Sequence, residues 1–125
     1  MIIDASALLA LLHNEPGAEY VRRMVPDFVL STVNFCEVVG KYAYKTGVPV
    51  ENIRGLISAV TSEIISFDEH QAFLAASWHR QLQPFGLSLG DRACLALAKS
   101  RSLPVLTADR IWQTLDLGVD VILIR

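Results

Sequence analysis

Met1-Ile2-Ile3-Asp4 is a short apolar run closed by a carboxylate, and residues 6–13 follow it at once with a helical pattern. A strand that runs straight into a helix is the first half of a βαβ unit. The alternation then repeats. Strand-like segments are expected at residues 1–4, 28–31, 63–67, 104–107 and 119–124, with helical patterns between them. Strands joined through helices pair in parallel, so residues 1–125 are expected to form one α/β domain around a mostly parallel sheet.

The helices carry their own boundary signals. Pro16 opens a second helix running to about residue 25, and Ser31 or Thr32 caps a third. In that third helix Phe35, Val38, Val39 and Tyr42 recur at helical spacing until Gly47 and Pro49 stop it. Ile53, Leu56, Ile57 and Val60 form the stripe of a fourth, and Asp68 with Gln71 reads as a capping box opening a helix to about residue 82. Residues 84–87 read as a loop. Ser88-Leu89-Gly90-Asp91 is another capping box, placing Asp91 in the first turn of a helix over residues 89–100.

Four acids stand at notable places in this layout. Asp4 closes the first strand, Asp109 follows the fourth, Asp91 sits at a helix start, and Glu37 lies within the third helix. Open parallel sheets bind ligands at their strand carboxyl ends. If the four converge, their repulsion raises some of their pKa values until a cation neutralises them, and hard oxygen donors select magnesium or manganese. Taken singly, each acid has a plainer reading: Asp91 and Asp109 as helix caps, Asp4 as a turn residue, Glu37 as a solvated position. Val33, Glu37, Gly40 and Tyr44 share a helix face, and Gly40 leaves room one turn beyond the carboxylate.

Neighbouring residues invite supporting roles. Ser6 and Thr107 can hydrogen-bond a carboxylate or a metal-bound water, and Asn34, one turn before Glu37, can do the same. Arg92 and Arg110 each follow a candidate acid and either contact substrate phosphates or pair with surface carboxylates. His13, His70 and His79 show no zinc spacing, and no nucleophile elbow, phosphate-binding glycine loop or dinucleotide fingerprint occurs. A phosphoaspartate enzyme needs a second Asp where Ser6 stands.

Composition narrows the class further. Net charge is −2, yet without the four candidate acids the count is 11 basic against 9 acidic, which permits a nucleic-acid substrate once ions mask the site. Hydrophobic residues make up 52% of the chain, enough to expect a face covered by another subunit. Cys36 and Cys94, both flanked by apolar residues, are expected to be reduced and buried, as in a reducing cytoplasm. Asp4 comes too early for a secretory leader, and the longest apolar runs, such as residues 7–12, fall far short of the ~20 residues a membrane span needs.

The segments Ile2-Ile3-Asp4-Ala5-Ser6, residues 31–38, residues 87–93 and Val105-Leu106-Thr107-Ala108-Asp109-Arg110 resemble, in order, the four acidic motifs of PIN-domain ribonucleases. The likeness covers nearly the whole chain, includes the turn at residues 14–18, and is nearest to the VapC toxins of type II toxin–antitoxin modules. It implies a three-layer α/β/α fold, magnesium- or manganese-dependent cleavage of single-stranded or looped RNA, a homodimer, and a cognate antitoxin partner. It implies metal-ligand positions at Asp4, Glu37, Asp91 and Asp109, with Ser6 and Thr107 as supporting hydroxyls. Arg92 departs from the pattern, where a small residue often follows the third acid. The residues then imply water-driven hydrolysis with Asp4 and Asp91 on the ion directly and Glu37 and Asp109 through water. Rival readings are a PIN nuclease of RNA processing or DNA cleavage, and a non-catalytic PIN scaffold.

Overall fold

Three layers stack in the computed structural model, which describes all 125 residues: helices, a five-stranded sheet, and helices again. The strands are β1 (Ile2–Ile3), β2 (Phe28–Ser31), β3 (Thr61–Ile65), β4 (Val105–Thr107) and β5 (Val121–Leu123). Their order is β3-β2-β1-β4-β5, and every pairing is parallel. The helices are α1 (Ala5–Leu12), α2 (Ala18–Arg22), α3 (Thr32–Thr46), α4 (Val50–Ser58), α5 (Glu69–Ser77), α6 (His79–Leu82) and α7 (Leu89–Arg101).

Side-chain alternation along each strand separates two cores. Ile2, Val29 and Val105 pack with Ala75, Trp78, Leu82, Leu95 and Trp112 under α5–α7. Their neighbours Ile3, Phe28, Leu30 and Leu106 pack instead with Leu8, Val21, Val38, Ile53 and Ile57 under α1–α4. A strand buried on both faces is apolar throughout rather than alternating. From β1 the chain winds outward through β2 to β3, then returns across β1 to build β4 and β5. The winding reverses between β1 and β4, and in such sheets the reversal opens a crevice beyond the strand carboxyl ends.

Several boundaries differ from expectation, each for a tertiary reason. The third strand is Thr61–Ile65 rather than 63–67, because β2 ends at Ser31, which pairs with Ile65 and leaves Ser66 and Phe67 no ladder. Thr61 is drawn in by its hydroxyl, which donates to the Ile57 carbonyl. The last strand shortens to three residues because β4 offers only three partners. The second helix begins after Gly17, not at Pro16. Gly17 adopts φ +95°, and a Cβ there would lie 2.7 Å from the Ile124 carbonyl oxygen, so only glycine fits. The helix expected over 68–82 breaks at Trp78, and Asp68 forms half a box: its carboxylate accepts from the Gln71 backbone, while the Gln71 amide turns to the Ser66 carbonyl. A 3-10 turn, Gln83–Phe85, occupies the expected loop. Leu56 lies outside the fourth helix's buried stripe.

Candidate functional site

At the reversal, β1 runs straight into α1 through Asp4. The Asp4 Oδ2 accepts from the Ser6 backbone N–H at 3.3 Å, the Ser6 hydroxyl at 2.5 Å and the Thr107 hydroxyl at 2.9 Å. The Ala108 N–H donates to Ser6 Oγ at 3.0 Å, and the Asp109 N–H to Thr107 Oγ1 at 3.1 Å. These bonds tie the start of α1 to the exit of β4, about a hundred residues on. Thr107 is wholly buried and Asp4 nearly so. Burial pushes the Asp4 carboxyl up to about 6; the Ser6 and Thr107 hydrogen bonds pull it down, while the Asp91 charge adds to the rise.

The other acids arrive from three directions. Ser88 and Asp91 complete the expected capping box: the Ser88 N–H donates to Asp91 Oδ2 at 2.8 Å, and the Asp91 N–H to Ser88 Oγ at 3.2 Å. The Asp91 carboxyl is also raised, chiefly by burial and further by the charges of Glu37 and Asp109, against the lowering hydrogen bonds of Ser88. Glu37 reaches in from α3, its Oε1 accepting from Lys41 Nζ at 2.8 Å. Asp109 is exposed and caps the 3-10 turn Arg110–Thr114, its Oδ1 accepting from the Ile111 N–H at 3.1 Å.

A common pattern emerges. Each of the four carboxylates has one oxygen fixed by a protein donor and a second that accepts nothing from the protein. They share a field rather than a point: no group of three or more His, Cys, Asp or Glu side chains is disposed to hold a metal ion. The four acids expected as metal ligands are each anchored by a different donor. The donor chemistry nonetheless fits a hard divalent cation, because each carboxylate keeps one oxygen without a protein donor, and the charge of Asp91 is felt at Asp4 as those of Glu37 and Asp109 are at Asp91.

Asn34 is fully buried and tethers α3 to α7, its Nδ2 donating to the Gly90 carbonyl at 3.1 Å. Its Oδ1 is buried without a partner. Gly90 is a close approach. A Cβ there would stand 3.0 Å from Glu37 Oε2. Arg92 turns away from the acids, its Nη1 donating to the Ala75 carbonyl at 3.0 Å, so it joins α7 to α5. Arg110 is exposed beside Asp109. Cys94 is buried as expected, but Cys36 is exposed, since it sits on the outward side of α3 in a groove with Val33, Glu37, Leu89 and Gly90. Lys41 stood out less in the sequence than the acids, although its i+4 spacing from Glu37 is the ordinary spacing of a helical ion pair. No helix is long and apolar enough to cross a membrane.

Known proteins share this fold. The chain is 29% identical over 126 residues to Ribonuclease VapC of Mycolicibacterium smegmatis, covering 94% of this chain and 98% of that protein. A toxin–antitoxin complex from Klebsiella pneumoniae contains a chain of the same fold, with TM-score 0.78 at 20% identity over 99% of this chain and 97% of that one. A DNA-bound VapBC from Salmonella typhimurium gives TM-score 0.72 at 17% identity over 99% and 97%. The family described as PIN domain matches residues 1–117, spanning β1 through β4 and all four acids, and the chain belongs to that family.

Proposed function

We propose that this chain is the toxin of a type II toxin–antitoxin pair, a divalent-metal-dependent endoribonuclease that hydrolyses RNA phosphodiesters with water. The observation that carries the reading is the set of four carboxylates at the sheet reversal, each with one oxygen anchored and one free. The naming of the Mycolicibacterium relative as a ribonuclease, and of structural neighbours as toxin–antitoxin complexes, supports it.

Asp4, Glu37, Asp91 and Asp109 would hold magnesium or manganese. A bound divalent ion supplies an acidified water and neutralises charge on the phosphate. Ser6 and Thr107 fix the orientation of Asp4, and Asn34 fixes the spacing of α3 from α7 beside Glu37. No side-chain nucleophile is needed. Exposed Tyr44, Phe73 and Leu89 offer apolar surface for an antitoxin segment and for a second copy of the chain.

The test is cleavage of a looped RNA by purified protein with magnesium or manganese. Products should carry a 5′-phosphate and a 3′-hydroxyl, and Asp4→Asn and Asp91→Asn should abolish them. Undiminished cleavage by both variants removes the site assignment. A 2′,3′-cyclic phosphate makes the ribose hydroxyl the nucleophile and sinks the water mechanism. Equal cutting of matched DNA favours the DNA-cleaving rival, and no cutting at all favours the scaffold.

A further inference from the structure

A second groove, of about 320 Å³, begins at Ser6, the residue whose hydroxyl holds Asp4. It is lined by His13 and Glu15 beyond α1, Lys41 and Lys45 on α3, and Arg125. Three permanent cations therefore face one carboxylate. Lys41 leans to Glu37 at 2.8 Å, whereas Lys45 and Arg125 share Glu15 at 4.0 and 3.5 Å. Ion pairs as long and as exposed as those two hold weakly, so Lys45 is free to turn to a stronger anion, while Arg125, whose Nη1 also donates to the Pro16 carbonyl at 2.9 Å, is held at the groove with its charge weakly paired. Lys41 and Lys45 are one helical turn apart and line the same wall. His13 is fixed against α3 by stacking of its ring on Tyr42, centroids 5.0 Å apart.

The contrast with the other flank of Glu37 gives direction. The groove holding Val33, Cys36 and Leu89 has Glu37 as its one charged residue. An anionic strand approaching four carboxylates is repelled from that side and drawn to the basic one. Resting on the ribonuclease reading, we propose that the His13–Lys41–Lys45–Arg125 groove is a backbone track that binds the phosphates of the RNA strand next to the one being cut. Its ligand class is a phosphodiester backbone, read by charge and not by base.

Glu15 makes the proposal testable in both directions, because its carboxylate competes with RNA for Lys45 and Arg125. Binding of a fluorescein-labelled single-stranded RNA is measured by anisotropy over a salt series, with magnesium, in full-length Asp91→Asn protein. Adding Lys45→Gln or Arg125→Gln should weaken binding severalfold and reduce the steepness of log affinity against log salt by about 0.7 for each phosphate that the protein ceases to neutralise. Adding Glu15→Gln should tighten binding severalfold, a gain that misfolding cannot produce. If the otherwise native chain cleaves RNA but all three substitutions leave affinity and slope unmoved, the track is refuted while the ribonuclease reading stands. If the native chain neither binds nor cleaves RNA, both fall. If the substitutions alter only inhibition by the antitoxin, the groove belongs to that partner and the proposal is overturned.

Discussion

In metal-free protein, Asp4→Asn should stabilise the fold at neutral pH and lose that advantage in acid. The Asp4 carboxyl is held at about 6 against an ordinary 3.8, mainly because it is buried. A native acid with a raised pKa binds its proton more tightly than the unfolded chain does. Between 3.8 and about 6, rising pH therefore ionises the unfolded state first and lowers stability. The penalty is absent below 3.8 and complete above about 6. At 1.36 kcal/mol for each pKa unit, it amounts to about 3 kcal/mol. Asparagine carries no charge and escapes it, although its amide meets the Ser6 and Thr107 donors less well, a pH-independent offset of about 1 kcal/mol. Urea unfolding in chelator, followed through the buried Trp78 and Trp112, reads the difference. The stability of the variant relative to the native chain should rise by about 3 kcal/mol between about pH 3 and about pH 8. A difference that stays flat across that range would refute the raised pKa of the buried carboxylate.

Four further outcomes follow from the same geometry. Magnesium or manganese should raise the unfolding midpoint of the native chain, stabilising it by about 2.7 kcal/mol at a hundredfold excess over Kd, and a melt unmoved at saturating metal would show that the acids do not act together. Gly90→Ala should lower RNA cleavage at least tenfold with little change in melting, since the new methyl meets Glu37 Oε2 at 3.0 Å; full activity would show that Glu37 can move aside freely. Arg92→Met should cost roughly 1–3 kcal/mol by leaving the Ala75 carbonyl without its charged donor, while folded protein keeps its cleavage rate; a large rate loss would place Arg92 on substrate. Ser88→Ala should cost about 1 kcal/mol through removal of the cap and also reduce cleavage, because it frees Asp91 to turn; a variant with native stability and rate would count against the capping box as the anchor.

Much of this was legible in the chain because it is local. The apolar run before Asp4, the Ser88–Asp91 box and the Gly47 stop are signals within a few residues, and each marks the boundary it foretells. Alternation of strand and helix foretold a parallel sheet for the same reason. What escaped depends on distant partners. The length of β3 is dictated by where β2 stops, the start of α2 by the Ile124 carbonyl pressing on Gly17, and the exposure of Cys36 by which side of α3 finds the sheet. The caps at Asp91 and Asp109 and the Ser6 and Thr107 hydroxyls on Asp4 were legible locally, whereas the Lys41 hold on Glu37 was not singled out, and no spacing in sequence says how close the four side chains come to one another.

The Ser6–Asp4–Thr107 linkage joins the first few residues to a segment about a hundred positions later. During synthesis, Asp4 therefore leaves the ribosome long before the hydroxyl that completes its setting. A contact so distant in sequence forms late in folding, after the loop between its ends has closed. Polypeptides cut short before Thr107 carry Asp4, Glu37 and Asp91 but lack the hydroxyl that holds Asp4 from β4, so the carboxyl end of the sheet stays unassembled in them.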